Sequence, residues 1–293
     1  MKNGETSVFV LPPIVAAMRK IVETLKIRDY LTPWDHRSMT ITQRLFIDRH
    51  YAPGGKIYDP IRHFDLKSYA DRSAAKLNWI LAKNGFGDIR FNDFGKDGFG
   101  VLAIFELVTS WAVKGIPITF NHNGRDYPGV QMGGGFEILS YGQNDAVAIK
   151  TNGGRDTVYM APAEEPSSGL LLAERIDLIA GKLKASSARP GLLRFPMVAI
   201  KTDTDISWME GLRVKESNYH IERALQQTKI KMDENGANVK SAVAMDLRLV
   251  SYEEKKNVTI DQPFLMWMER DGIRYFYGYF GPDSWRDPKR WRI

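Results

Sequence analysis

The sequence contains no cysteine among its 293 residues. Without cysteine, the chain can form neither disulfide bonds nor thiolate metal sites, and this absence favours a reducing compartment. The five histidines do not fall at the spacings that metal ligands need, and each is interpreted as a surface or packing residue. No metal site is therefore expected.

Long hydrophobic runs and catalytic motifs are also missing. No apolar run reaches the length of a membrane span, so no membrane partner is expected. The N-terminal apolar stretch is broken by Pro12-Pro13 and preceded by Glu5, which does not fit a secretory signal, so an intracellular or assembly-associated location is favoured. No nucleophile elbow, Walker loop or dinucleotide fingerprint occurs, so we expect no catalytic residue and no cofactor.

The most informative segment runs from Gly236 to Val250. From Ala237 to Leu249, every second residue is small or apolar, and the residues between them are mostly polar or small. Alternation of this kind predicts an extended strand with one face able to be buried. Charged turn sequence precedes the segment at 233–236 and follows it at 253–257. We therefore expect a long strand-competent segment between two solvated hinges.

Hydrophobic periodicity predicts helices and strands along the rest of the chain. Helices are predicted at 14–25, 69–83, 170–184 and 208–215. Strands are predicted at 38–50, 100–112, 116–120, 130–132, 136–141, 146–151, 157–161, 192–201 and 221–232. A closing hairpin is predicted at 258–269 and 273–280, with Asp271-Gly272 as its tight turn. Since no repeat or linker divides the chain, one α+β domain is the simplest account.

Several stretches match, in wording and in order, the segments of one protein family. They are Asn78–Ile80, Asn121–Met132, Ala146–Pro162, Leu193–Ile200, Asp233–Ala237, Asp261–Leu265 and Tyr275–Gly278. Through them the chain resembles the serpins over most of residues 8–281. Each motif alone is weak, and the shared order of all of them carries the resemblance.

The resemblance implies an α+β fold with three mixed or antiparallel β-sheets, surrounding helices and an exposed reactive loop at about 237–256. In inhibitory serpins a protease cuts this loop, which then inserts into the main sheet as a new strand. The implied hinge residues are Glu234, Gly236, Ala237, Val239 and Ser241. The implied cleavage region comprises Arg248, Leu249, Val250, Ser251 and Tyr252.

The chain also departs from the serpin pattern. It is shorter, and the shortfall lies early, so several N-terminal helices are expected to be reduced or missing. The polar residues that serpins place beneath the main sheet, called the shutter, fall at Leu11–Val15, Ala103 and Gln226, and all three contributions are expected to be lost. Val239 and Lys240 stand where inhibitors carry alanine-like residues. These differences favour a serpin fold that no longer inhibits proteases.

A basic aromatic tail of residues 284–293 is predicted to follow a single domain of residues 1–283. It carries four cations, one anion and two tryptophans. A solvated tail or docking peptide is the favoured interpretation, and nucleic-acid binding is the alternative. The residues expected to make such a contact are Trp285, Arg286, Lys289, Arg290, Trp291 and Arg292.

These features together predict a non-enzymatic protein used for protein–protein interaction or as a structural subunit of a larger assembly, such as a virion or another multi-subunit complex. The alternative is a suicide-type inhibitor of a serine or cysteine protease that acts through the reactive loop. Nucleic-acid binding through the tail is a third, disfavoured function.

Overall fold

A computed structural model describes residues 6–53, 63–64, 66–106, 109–237 and 255–291. The α-helices in these ranges are α1 (Leu11–Thr24), α2 (Ile41–Phe46), α3 (Ala74–Lys83) and α4 (Gly169–Ala180). A π-helical turn spans Ile47–Tyr51, and 3₁₀ turns span Ser207–Met209 and Pro282–Ser284. The strands are β1 (Ser7–Val10), β2 (Leu66–Asp71), β3 (Gly100–Phe105), β4 (Thr109–Ser110), β5 (Ile116–His122), β6 (Arg125–Met132), β7 (Phe136–Tyr141), β8 (Asn144–Lys150), β9 (Asp156–Pro162), β10 (Lys184–Ala185), β11 (Arg189–Pro196), β12 (Val198–Thr204), β13 (Gln226–Met232), β14 (Gly236–Ala237), β15 (Lys255–Thr259), β16 (Phe264–Arg270) and β17 (Ile273–Phe280).

The chain divides into two compact units. The first comprises Met1–Phe9, Val108–Thr202 and Thr228–Ile293, and the second comprises Val10–Leu107 and Asp203–Gln227. The predicted α+β class is confirmed. The predicted boundary between a domain of residues 1–283 and a tail from 284 stays a prediction.

The first unit is built on a seven-stranded sheet of order β1-β17-β16-β9-β8-β7-β10. The predicted hairpin β16–β17 turns at Asp271-Gly272, where both residues have positive φ, 51° and 76°. Beside this turn, Arg270 donates two 2.8 Å hydrogen bonds to the buried Asp156 carboxylate. Tyr275 Oη donates a third, at 3.0 Å. These three hydrogen bonds compensate the buried negative charge of Asp156, because a buried carboxylate without such partners would be destabilising.

A four-stranded sheet of order β15-β11-β6-β5 also belongs to the first unit. Its β11–β15 pair is parallel, and the other pairs are antiparallel. The predicted strand over 192–201 is in fact two strands, β11 and β12, separated at Met197. Met197 N donates to Pro128 O at 2.9 Å, and Met197 O accepts from Arg286 N at 3.2 Å, so the break is held by hydrogen bonds on both sides.

The second unit contains α1, α2, α3 and the β2–β3 pair. Helix α1 carries the Pro12-Pro13 pair in its first turn, because proline suits this position, where no backbone N–H is needed. The predicted helix over 69–83 begins only at Ala74, because Leu66–Asp71 pairs with β3 as a strand and Ser73 caps the helix. Leu77, Leu81 and Leu102 form part of a core between α3 and the β2–β3 pair.

The predicted strand over 38–50 is wrong, because these residues form α2 and the π-helical turn. The Thr40 hydroxyl accepts from Gln43 N, and the Gln43 side chain accepts from Thr40 N, which is a capping box. Gln43 Nε2 also donates to Trp208 O and Glu210 O. The alternating apolar residues do not share a buried face, since Met39 is buried and Ile41 is 82% exposed.

Candidate functional site at the base of the loop

Three of the predicted hinge residues, Glu234, Gly236 and Ala237, lie within the described residues. The other hinge residues, Val239 and Ser241, lie outside them. The whole predicted cleavage region, Arg248, Leu249, Val250, Ser251 and Tyr252, also lies outside the described residues, as does Arg292 of the tail.

The chain reverses direction directly after β13. Asp233 and Gly236 exchange two backbone hydrogen bonds of 3.0 and 3.3 Å, which closes a tight turn over Glu234-Asn235. Gly236 then pairs with Ser110, and Ala237 pairs with Thr109, in an antiparallel bridge between β14 and β4. The first two residues after the turn are therefore already paired with a strand.

Gly236 is required at this turn for two reasons. Its φ of 133° is a conformation that L side chains rarely adopt. In addition, a Cβ at this position would lie 2.5 Å from both Ser110 Cα and Thr109 O. Both obstacles are backbone atoms, so neither can swing away as a flexible side chain would.

Backbone groups of the turn are held by the segment that follows β4. The Trp111 indole N–H donates to Asp233 O at 2.9 Å, and Trp111 N donates to Asn235 O at 3.1 Å. Gly115 N donates to Glu234 O at 2.8 Å. The carbonyls of Asp233, Glu234 and Asn235 thus each accept a hydrogen bond from Trp111 or Gly115. These bonds hold the turn against residues 111–115.

The Glu234 carboxylate is the buried charge of the turn, with a side chain only 6% exposed. Lys289 Nζ and Asn235 Nδ2 both donate to its Oε1 atom. Burial alone would raise the pKa of Glu234, but the hydrogen bonds from Lys289, its own backbone N–H and Asn235, with the charge of Lys289, outweigh burial and lower it. The hydrogen bond to Glu234 raises the pKa of Lys289. Both shifts favour the ion pair.

The predicted tail therefore includes a residue that binds the hinge. We call residues 281–291 the C-terminal segment. It begins at Gly281, whose N–H donates to Thr6 Oγ1, and Thr6 donates to the Asp283 carboxylate through both N and Oγ1. These contacts fix the segment where it leaves β17.

The structure places Trp285, one of the predicted contact residues of the tail, in the interior of the first unit, and its contact with a partner stays a prediction. Its side chain is 2% exposed and lies between Phe120, His122 and Tyr127, with ring centroids 5.6, 5.1 and 5.2 Å away. An indole buried among aromatic rings is a packing residue of the fold. A Trp285–Val198 bridge fixes its backbone on β12.

Other residues of the tail also make contacts within the chain. Lys289 is committed to Glu234, and the Arg286 guanidinium lies 5.9 Å from the Trp291 ring centroid. Arg290 is 90% exposed and lies 3.6 Å from Asp287, its partner in a surface ion pair. Lys289 is thus engaged within the chain, and the predicted contact of the tail with a partner stays a prediction.

Gln226, which stands at one of the shutter positions, makes polar contacts that the resemblance to serpins did not predict. Gln226 is buried, and its amide binds both backbone groups of Val10, donating to the carbonyl at 2.7 Å and accepting from the N–H at 3.2 Å. Val10 is the last residue of β1 and directly precedes α1. The expected loss of all three polar contributions is thus wrong at Gln226, while Leu11 and Ile14 are buried apolar residues.

Sequence reasoning could not find Lys289 or Trp111 as partners of the hinge. Lys289 is 55 residues from Glu234 along the chain, and Trp111 is 122 residues from Asp233. Neither carries a local motif, and only the fold brings them to the turn. Among the described residues, no group of three or more His, Asp or Glu side chains could hold a metal ion.

Comparison with solved structures identifies the fold. Serpin48, a highly specific serpin of the insect Tenebrio molitor, superimposes with a TM-score of 0.51 over 95% of this chain and 75% of that chain, at 10% identity. The chain has a serpin fold. The serpin-like class predicted from the sequence is confirmed, with four α-helices in the described residues, fewer than in a full serpin.

Two further serpins are similar at lower TM-scores. Native protease nexin-1, crystallised with heparin, gives 0.47 at 15% identity over 71% of this chain, and human thyroxine-binding globulin gives 0.47 at 11% identity over 70%. This serpin-fold chain spans just under two thirds of each of those chains, 65% and 63%. No family model matches the sequence, and no curated protein matches it. At these identities the likeness concerns the fold alone.

No helix in the described ranges has the length and apolar character that crossing a bilayer requires.

Proposed function

We propose that this serpin-fold chain is non-enzymatic and acts by binding another protein, as a subunit of a larger assembly, and that it does not trap proteases. The observation that carries this proposal is the ion pair between Lys289 of the C-terminal segment and the buried Glu234 of the hinge. A trap of the serpin kind needs a hinge that can rearrange. Here the hinge is fastened by a segment outside the loop.

The bonds at the turn indicate what such a rearrangement would have to break. Three backbone carbonyls of residues 233–235 accept hydrogen bonds from Trp111 and Gly115. Each net hydrogen bond is worth about 1 kcal/mol, and separating a buried ion pair costs more because the remaining charge loses its partner. A fixed hinge suits a scaffold, in which the fold presents a surface and stays still.

The region assigned to the shutter supports the same proposal. The polar side chain at this position, Gln226, is committed to the backbone of Val10 with both of its amide atoms. Re-pairing during sheet opening would leave Val10 N–H and C=O buried without partners, and each such group costs about 1–3 kcal/mol. The two contacts therefore oppose the opening that an inhibitor uses.

One observation favours the second candidate function, a suicide-type inhibitor. Gly236 is bridged to Asp233 on one side and to Ser110 on the other, so the first residues after the turn already run antiparallel to β4. A loop that enters a sheet would start in this way. The implied cleavage region around Arg248 would then meet a protease such as one of trypsin-like specificity.

Incubation with a panel of serine and cysteine proteases separates the two functions. We expect cleavage within residues 238–254 without a covalent complex on a denaturing gel, and an unchanged melting temperature after clean cleavage. A detergent-stable protease complex, or a sharp rise in the melting temperature after cleavage, would overturn the proposed scaffold function. Native mass spectrometry of assemblies reconstituted from purified candidate partners then measures whether the cut and uncut chains bind equally, as a scaffold predicts.

A further inference from the structure

Helix α3 presents a surface of mixed apolar and basic side chains to solvent. Its inner side, which includes Leu77, Ile80 and Leu81, packs against the β2–β3 pair. Residues three, four and seven positions apart lie on one side of a helix, so the exposed residues of α3 form one continuous surface. We call this surface the α3 face, and its members are Ala75, Lys76, Trp79, Ala82 and Lys83.

The centre of the α3 face is an exposed tryptophan. Trp79 is 62% exposed, whereas the other six of the seven tryptophans, all in the described ranges, are buried or half-buried. Ala75 and Ala82 lie about one helical turn before and after it, and their short side chains leave the indole accessible from both ends of the helix. Tryptophan is among the residues that contribute most to binding energy when a partner encloses them. The α3 face therefore has the composition of an interface around one anchor.

The charges that α3 itself carries are all positive. The helix contains Lys76 and Lys83 and no aspartate or glutamate. Lys83 Nζ lies 5.0 Å from the centroid of the Trp79 ring, which is a cation–π contact and places a positive charge beside the indole. Lys76 forms an ion pair with Asp71, and the exposed Arg72 lies just before the helix. A partner that encloses the indole must also accommodate this positive charge.

We propose that the α3 face docks on an acidic surface of another protein, which offers an apolar recess for the Trp79 indole and carboxylates for Lys83 and Arg72. Opposite charges across an interface speed association and disfavour wrong partners, so an acidic surface is the complement of this face. This inference rests on the proposed function, because it names a surface and a partner chemistry for binding a protein.

A membrane surface or a nucleic acid fits the α3 face less well. A helix that lies in a bilayer surface buries a wide apolar face. The wide apolar face of α3 already packs on β2 and β3, and the outer face has one large apolar side chain, Trp79. Nucleic-acid binding draws its strength from many phosphate contacts. The α3 face offers two lysines, of which Lys76 is paired with Asp71.

A phage-display library of short random peptides, selected on the full-length chain at neutral pH, tests the chemistry of the partner. We expect the enriched peptides to combine aspartate or glutamate with large apolar residues. Calorimetry with the most enriched peptide, made synthetically, then measures its affinity, which should fall as salt is added because salt screens the charges. Enrichment of basic or uncharged peptides, or no enrichment at all, would overturn the proposal.

Two variants place the binding of this peptide on the α3 face. Trp79→Ala should weaken it at least about tenfold, as removal of an interface anchor does. Leu171→Ala, the matched control, removes an apolar side chain that is 71% exposed on α4 and should leave the affinity unchanged. Lys83→Glu should weaken the peptide about tenfold. Lys182→Glu reverses the charge of an exposed lysine of the first unit and should not.

The melting temperature separates a binding role of Trp79 from a packing role. Trp79→Ala should melt close to the wild type, because substitutions of exposed side chains change stability little. A large fall would show that the fold, and not a partner, requires the ring, and would overturn the proposal. Wild-type affinity in both Trp79→Ala and Lys83→Glu would place the peptide elsewhere and overturn it as well.

Two further probes test the other classes of partner. They are vesicles of equal parts phosphatidylserine and phosphatidylcholine, and a single-stranded oligothymidylate. Any binding of either should be the same in the wild type and in Trp79→Ala. Binding that Trp79→Ala abolishes would assign the α3 face to a membrane or a nucleic acid and overturn the proposal. Failure here leaves the proposed function in place, because that function is decided separately by the protease panel.

Discussion

Lys289 donates a hydrogen bond to the Glu234 carboxylate, which joins the C-terminal segment to the base of the predicted reactive loop. The two ends of this contact differ in exposure, since the Glu234 side chain is 6% exposed and that of Lys289 is 56% exposed. Burial of Glu234 sets how much the pair contributes to the free energy of unfolding, because Glu234 is the partner that loses its solvation. The four predictions that follow concern this connection and the turn it holds.

Removing Lys289 should destabilise the chain more than removing an ordinary surface cation. We expect Lys289→Met to lower the free energy of unfolding by about 1–2 kcal/mol, less than for a fully buried pair because solvent screens Lys289. Lys256→Met is the matched control, since Lys256 pairs with Asp145 at 2.7 Å and the Asp145 carboxylate, 31% exposed, is far less buried than that of Glu234. It should cost under about 0.5 kcal/mol. Urea unfolding measures both, and equal losses would show that burial of Glu234 contributes nothing.

The same pair predicts a loss of stability in acid. The folded-state pKa of Glu234 lies below its ordinary value of 4.5, despite the opposing effect of burial. Its contribution to stability is therefore present above about pH 4.5 and is lost as the pH falls through the lowered folded value. Other carboxylates, such as Asp71, also have lowered pKa values. The measurement is thus a difference, in which Glu234→Gln should lose less stability than the wild type between pH 7 and pH 3. Parallel curves would contradict it.

Much of the fold could be predicted from the sequence, because most elements carry a local signal. The apolar face of α1, the strands β5 to β9 and the Asp271-Gly272 turn all follow from periodicity and turn chemistry. The expected strand at 38–50 is wrong because apolar residues alternate there, whereas the structure begins a helix with a Thr40-x-x-Gln43 capping box. Burial at Gln43, Phe46, Ile47 and His50 follows the helical period, but Gln43 and His50 are polar, so hydrophobic periodicity in the sequence does not indicate this face.

The candidate site was predicted only in part. The turn sequence 233–237 identified the hinge, since Gly236 and its charged neighbours stand next to each other in the chain. The groups that hold the hinge, Trp111 and Lys289, come from distant parts of the chain and have no pattern of their own. The basic and aromatic composition of the tail suggests that Trp285 is an exposed binding residue. Its aromatic partners in β5 and β6 lie far away in the sequence and give no local signal.

Gly236 should not tolerate a side chain. Gly236→Ala places a methyl group 2.5 Å from two backbone atoms at a φ of 133°, and strain of this kind costs about 1–3 kcal/mol at each source. Gly133→Ala is the control, because a Cβ there meets nothing within 4 Å and Gly133 is absent from the positive-φ glycines. It should change stability by less than about 1 kcal/mol. Thermal unfolding compares the two variants, and equal melting temperatures would show that the turn can relax.

Trp285 should act as the anchor that places Lys289 on the hinge. Trp285→Ala removes a buried indole and should cost about 3–5 kcal/mol of unfolding free energy. The specific readout is hydrogen exchange at the amides of Trp111 and Gly115, which donate to Asn235 O and Glu234 O. Their exchange should quicken under native conditions, because the turn loses its ion pair when the C-terminal segment detaches.

Phe264→Ala is the matched control for this experiment. Phe264 is fully buried in the seven-stranded sheet, where its ring lies 5.5 Å from that of Phe280. Its loss should cost a similar amount of global stability, by about 3–5 kcal/mol. Because Phe264 makes no part of the hinge contacts, exchange at the two amides should then change only as far as global unfolding requires. If Trp285→Ala exposes these amides no more than Phe264→Ala does, the C-terminal segment and its Glu234–Lys289 pair do not hold the hinge in place.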